Sequence, residues 1–390
     1  MYSCCMITRF SLFIVILVAT AAFPGTTPKK FEQIAKQADE ARAADRVNDA
    51  INLYKDGIHL RPAWGEGWWS LGSLLYDQDR FPEAELAFRH FVAITPKPGP
   101  AYAFLGLCEY ENRDYDRALR HFRDWARIGW AGTRQLIDVS VFHFALLLTR
   151  EGKFVEALYL LATEAGKVGE TPTLSEAMGL ASLRMRNVPE DYPPERREMV
   201  WLAGKAALYA SQSPPDFQRA DEYSDRLLSH YNGQPEVHYF RGTIFTFEDK
   251  RTEAKEEFKA ELRISPQHVP ATLGVARIDI DEDQLAEAEH LAKRSTDLDP
   301  QDPEAHHLLG RVLLATGRYL ESARELEVAK QLAPGSATVR SHLAMAYNHL
   351  GREKEANVEA SAFMALKNKE EILAPPQEKL KLNPHPGQPR

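Results

Sequence analysis

The sequence predicts an all-α chain built as a solenoid of helix hairpins, and three observations carry that prediction. Ala50, Ala84 and Ala118 are spaced by 34 residues, and Ala254, Ala288, Ser322 and Ala356 keep the same step at the far end. Pro266, Pro300 and Pro334 repeat with the same interval, each able to stop a helix and set the turn to the next unit. Around each small residue, apolar side chains recur at helical spacing on two consecutive stretches, one stripe per helix.

The clearest unit runs from Gly65 to Pro96. Trp68, Leu71, Gly72 and Leu75 fall at i, i+3, i+4 and i+7 of a first helix. Ala84, Phe88 and Phe91 form the matching stripe of a second, with Asp77-Gln78-Asp79-Arg80 as the polar turn and Pro82 near the second helix's start. Gly72 and Ala84 lack bulk, so this spacing predicts that they face each other across a close helix contact. One such hairpin cannot bury its apolar stripe, whereas stacked copies can. The pattern W-x2-L-G, then A-x3-F, then a closing proline resembles the tetratricopeptide repeat (TPR). The resemblance implies a TPR-type helix-hairpin solenoid, wound as a right-handed superhelix, with an irregular joint in the middle.

Taken in order, the 390-residue chain begins with Arg9, the apolar run Phe10 to Val18, and the small residues Ala19 to Ala22. This has the form of a secretory signal peptide over residues 1–22, with cleavage before Ala22 or Phe23. An uncleaved membrane anchor is the competing reading, but the run is short of the roughly 20 residues a spanning helix needs. Export to a periplasm or outside the cell follows, with no stable span after cleavage; the alternative is a chain tethered by its uncleaved signal. Cys4 and Cys5 would leave with the leader, and Cys108 reads as a small buried apolar residue.

Residues 31–132 hold N-terminal units, the first degenerate at its front. Residues 133–234 are irregular: Ala118 and Ala157 stand 39 apart, and Ala157 and Ala220 stand 63 apart, five short of two periods. Leu174 to Arg186 reads as a first helix without a clear partner, and Val188-Pro-Glu-Asp-Tyr-Pro-Pro194 breaks the chain, so the joint is placed near 168–195. Regular units resume over 235–370, ending in a capping helix around Phe363 to Leu366 with charged Lys367, Lys369, Glu370 and Glu371. The tail 374–390 alternates prolines with polar residues and reads as disordered.

The chemistry is that of a binding protein, with no cofactor. A net charge of −8 leaves no excess of cations for phosphates, which argues against nucleic acid. There is no H-E-x-x-H, no cysteine pair for zinc and no glycine-rich phosphate loop. The run Asp279 to Asp283 lacks the glycine and glutamate of a calcium loop and reads as an acidic turn between helices. His306 and His307 adjoin on a helix and point apart, as solvated or groove-facing residues. No enzyme is expected.

In the family that the chain resembles, ligands lie on first helices, beside the packing stripe. Carried onto this sequence, those positions give Trp69, Tyr76 and Tyr110 near the N-terminus, and Tyr239, Arg277, His307 and Arg311 towards the C-terminus. The aromatic rings suit anchoring, and the two arginines suit a carboxylate. A clamp of lysine and asparagine that some members use for chaperone tails is absent, since Ala35, Asp39, Trp69, Ser73 and Ala103 stand there. The expected function is an exported scaffold that holds a protein or peptide segment, for assembly of an envelope or secreted complex. The alternative is a carbohydrate stacked on the aromatic residues. Oligomeric state is left open.

Overall fold

A computed structural model describes residues 28–373, and every regular element among them is helical: nineteen α-helices and one turn of 3-10 helix, with no strand. The expected leader at 1–22 and the proline-rich tail at 374–390 lie outside the described residues. The chain falls into two compact units, divided between His143 and Phe144.

The first unit stacks the hairpins α1 (Pro28–Ala43) and α2 (Val47–Leu60), α3 (Gly65–Tyr76) and α4 (Phe81–Ile94), and α5 (Ala101–Glu111) and α6 (Tyr115–Arg127). The unit boundary lies within α7 (Arg134–Glu151). Each hairpin buries one stripe from each helix, and Ala50, Tyr54, Leu75, Ala84, Phe88 and Leu105 share one core. Pro82 occupies the first turn of α4, where its missing N–H costs nothing. Cys108 is fully buried, and burial drives its thiol pKa well up, so it packs as an apolar residue.

The turn inside each hairpin uses one left-handed residue. Asp45, Asp79 and Arg113 have φ between 54° and 61°, again 34 residues apart. Asp249, Asp283, Gly317 and Gly351 continue the step in the second unit. This conformation reverses the chain in a few residues and disfavours β-branched side chains there.

The second unit continues through α8 (Phe154–Val168), α9 (Pro172–Ser182), a 3-10 turn at Pro194–Arg196, α10 (Arg197–Ala210) and α11 (Phe217–Tyr231). Regular hairpins follow: α12 (Val237–Phe247) with α13 (Arg251–Ile264), α14 (Val269–Asp281) with α15 (Leu285–Leu298), α16 (Pro303–Ala315) with α17 (Tyr319–Leu332), and α18 (Ala337–His349) with α19 (Glu353–Leu373).

Three details differ from the sequence reading. The stretch from Leu174 does have a partner. Its helix stops at Ser182, and α9 packs directly on α10 at Gly179 and Gly204, where an added methyl would fall 1.9 Å from the Val200 carbonyl oxygen and 1.7 Å from that of Ser175. The acidic run at 279–283 is not simply a turn. Asp279 lies inside α14, 1% exposed, and pairs with Lys255 Nζ at 2.6 Å. Phe363 to Leu366 belong to the continuous α19 rather than to a separate capping helix. The side chain nearest Gly72 is Phe88, as its contacts below show.

Among the described residues no helix is long and apolar enough to cross a membrane, and no cluster of His, Cys, Asp or Glu is arranged to hold a metal.

Candidate functional site

In the first unit, the sequence-predicted aromatic residues fall into two groups. Trp69 on α3 is half-buried and lies edge-on to Phe88 and Phe104, with ring centroids 5.6 Å away in each case. Tyr76 stands edge-on to Phe104 at 5.2 Å, and Phe104 stacks on Phe88 at 4.9 Å. Burial pushes the Tyr76 hydroxyl up to about 12. These contacts tie α3, α4 and α5 together. Tyr110 is buried, edge-on to His143 at 4.7 Å, and offers no surface to a ligand. The expectation for Tyr110 is corrected accordingly: its ring is part of the packing between helices. Sugar stacking needs a free ring face, and these edge-on contacts do not favour it.

Trp69 has a second side. With Asp39, Arg42, Arg61, Trp64, Glu66, Ser70 and Phe91 it lines an open pocket of about 830 Å³ between α1, α3 and α4. Arg42 Nη1 donates to Ser70 Oγ at 3.1 Å, and its Nη2 lies 4.0 Å from Asp39 Oδ1. The Arg61 guanidinium sits 3.7 Å over the Phe31 ring, an arrangement that holds the cation in place without a carboxylate. The wall is Trp64, whose ring occupies the space that side chains at Gly57 and Gly67 would need: added methyls would come within 2.6 Å and 2.2 Å of it. Sequence reasoning missed Arg42, Arg61 and Trp64. The signal was the pairing of Trp64 with glycines on both adjoining helices, outside the repeat pattern.

In the second unit the predicted cations are engaged with one another's neighbours. Arg277 Nη2 donates to Glu304 Oε1 at 2.9 Å, and Arg311 meets Asp281 at 3.4 Å. His307 is buried, with Nδ1 3.2 Å from Glu304 and Nε2 3.0 Å from His342 Nδ1. The His307 ring thus bridges α16 and α18 and is not solvated. His306 instead contacts Glu325 on α17 at 2.7 Å. Burial works against the Glu304 carboxylate, yet His307 and Arg277 hold it below its ordinary value. Burial, with the charges of His307 and Arg311, pushes His342 down to about 4. Arg277 is exposed and Arg311 half-buried, so both guanidinium groups keep a face towards solvent.

Tyr239 on α12 is the remaining predicted residue. It lines an apolar cavity of about 480 Å³ built from α8, α9, α10, α12 and the start of α11. Trp69 lines the pocket of the first unit; in the second, Arg277, His307 and Arg311 cluster on α14 and α16, and Tyr239 lines this cavity with its hydroxyl within reach of the Arg277 charge.

Comparison with known proteins adds the following. The family model described as Cilia and flagella-associated protein 70 middle TPR-like domain matches residues 158–367, and a tetratricopeptide repeat model matches residues 35–99. No curated protein matches the chain. Among solved structures, it is similar to a crystal structure of MamA at 18% identity, covering 40% of this chain and 92% of that one, with a TM-score of 0.36. MamA (residues 41-end) from Desulfovibrio magneticus RS-1 matches at 21% identity over 43% and 97% of the two chains, with a TM-score of 0.36. YrrB, titled a TPR protein with an unusual peptide-binding site, matches at 18% identity over 46% and 91%, with a TM-score of 0.36.

Proposed function

This chain belongs to the family of the Cilia and flagella-associated protein 70 middle TPR-like domain, and on that premise we propose that it is a non-catalytic scaffold whose first unit holds an extended protein or peptide segment. The observation that carries the reading is the pocket in which Arg42 and Arg61 stand beside Trp69. An aromatic anchor next to two guanidinium groups recognises a peptide with an apolar side chain close to a carboxylate. Asp39 and Glu66, on the same wall, pair with the peptide's amide or basic groups.

A crosslinking pull-down with the full chain supplies the segment, and titration of that segment tests the site. Arg61→Ala removes a charge while leaving the helices intact, and it should weaken binding about tenfold or more. Trp69→Ala should cost about 2 kcal/mol or more, roughly thirtyfold. If both variants stay helical and bind as tightly as the parent, the pocket is not the site.

The finer role rests on the sequence at the start of the chain. The charged, apolar and small-residue order of residues 1–22 supports export to a periplasm or the cell exterior, where a scaffold of this kind serves assembly of an envelope or secreted complex. N-terminal sequencing of the native protein should begin at Ala22 or Phe23. Recovery of Met1 on membrane-bound protein would overturn export by cleavage.

A further inference from the structure

The apolar cavity of the second unit calls for a ligand that the peptide pocket does not explain. Phe154, Val155, Leu158, Tyr159 and Ala162 supply one face of α8, and Tyr239, Phe240, Thr243, Ile244 and Phe247 supply the same i, i+1, i+4, i+5, i+8 face of α12. Between them Ala181, Ala207 and Ala210 keep the lining shallow. Val155, Tyr159 and Phe247 are 81%, 64% and 68% exposed, so the apolar lining runs out to the surface.

Polar groups in this lining are few, and most are satisfied. Ser211 Oγ donates to the Leu208 carbonyl and Thr243 Oγ1 to that of Tyr239. Ser182 Oγ is different: the residue is 6% exposed, and the hydroxyl has no hydrogen-bond partner among the described residues. A buried hydroxyl without a partner costs free energy that a bound acceptor would recover. Two residues away, Arg184 is the one charged side chain of the lining, and no carboxylate lines the cavity. Its guanidinium lies 4.6 Å over the Phe154 ring. Its Nε lies 3.6 Å from Glu236, which also contacts His268 Nε2 at 3.0 Å, and the guanidinium is 5.7 Å from the Tyr239 ring centroid.

The cavity holds about 480 Å³, within the range of small-molecule sites, roughly 300–1,000 Å³. The single guanidinium fork matches a carboxylate in shape and charge, whereas a phosphate dianion would bring two charges to one cation.

We propose that this cavity binds a small amphiphile: an aliphatic body in the channel between α8 and α12, and one carboxylate at Arg184 and Ser182. This goes beyond the peptide-binding reading and shares no residue with it.

The test titrates the full chain with decanoate, and with 1-decanol as the uncharged control, by calorimetry. Decanoate should bind saturably with one site and more tightly than decanol. Arg184→Gln should weaken decanoate about tenfold or more and leave decanol unchanged. Phe247→Glu, at an exposed position that the fold does not need, places a negative charge at the mouth and should weaken decanoate selectively. Ala210→Phe fills the channel and should remove binding of both. Absence of saturable decanoate binding, equal affinity for decanoate and decanol in the parent, or an Arg184→Gln protein that binds decanoate like the parent would each overturn the assignment. None of these outcomes bears on Arg61 or Trp69, so the peptide reading stands or falls separately.

Discussion

Gly72 on α3 and Phe88 on α4 compete for one space: a methyl on Gly72 would stand 2.9 Å from the Phe88 ring. The same relationship recurs 16 residues apart at Gly106 and Phe122, Gly242 and Phe258, and Gly310 and Leu326, at 2.6 to 2.7 Å. The small residue of the first helix is thus a seat for the large residue of the second. Ala84, fully buried one turn earlier on α4, lets the two backbones approach at the same place.

Gly72→Val should therefore push Phe88 off its seat and destabilise the first unit by about 1–3 kcal/mol, and Ala84→Leu should do the same by overpacking. Gln78→Ala, at an exposed turn position, should stay within about 0.5 kcal/mol of the parent. Urea midpoints report the difference. Equal midpoints for Gly72→Val and Gln78→Ala would show that the seat is not filled as described.

The left-handed turn residues make a second, opposite prediction. Asp79 has φ 54°, a conformation that costs an ordinary L-residue about 1–2 kcal/mol and a β-branched one more. Asp79→Gly should raise stability by a few tenths to about 1 kcal/mol, and Asp79→Val should lower it by about 1–2 kcal/mol. Thermal melts of the two variants should move in opposite directions from the parent, and movement in the same direction would contradict the turn geometry.

Such relationships show which parts of the fold were legible in the sequence. Wherever the 34-residue step holds, local pattern determines both helices, their contact and their turn, because each hairpin meets only its neighbours. Gly72 and Ala84 were recognised as small positions, but the placing of the Phe88 ring directly over Gly72 was not, since helical spacing alone cannot tell which residue of the facing helix fills a gap. The α9–α10 contact was missed for a different reason. Gly179 and Gly204 are separated by an irregular stretch that hides their pairing, and neither sits at the repeat's expected interval. Of the candidate site, Trp69 was found because it stands on a first helix beside the packing stripe, the place that the resemblance gives to ligands. Arg42 and Arg61 were missed because their relevance comes from packing against Ser70 and Phe31.

That irregular contact should be the least tolerant point of the second unit. An added methyl at Gly204 meets the Ser175 carbonyl oxygen at 1.7 Å, and the obstacle is backbone, which cannot rotate aside. Gly204→Ala should cost about 3 kcal/mol or more, at the upper end of overpacking effects. Gly233→Ala, where nothing lies within 4 Å of the added methyl, is the control. Similar melting temperatures for the two would mean that α9 and α10 do not cross this closely.

A last prediction concerns acid, and its sign follows from His342. In an unfolded chain an imidazole titrates near 6.5, whereas burial, aided by the charges of His307 and Arg311, pushes His342 in the folded protein down to about 4. Between those values the unfolded chain carries a proton that the folded one excludes, so stability falls as pH drops from 7 through 6.5 towards 4 and then levels off. Glu304 works in a lower window: its carboxylate is held below its ordinary value, so its contribution is present above about 4.5 and fades beneath it. Measurements from pH 7 to 5 therefore isolate the histidine. Over that range the parent should lose stability faster than His342→Asn, which keeps a polar partner for His307 without titrating, and the gap between their denaturation midpoints should change steadily with pH. Parallel curves for the two proteins would show that His342 takes up its proton in the folded state as readily as in the unfolded one, and that the His307–His342 contact does not exclude charge.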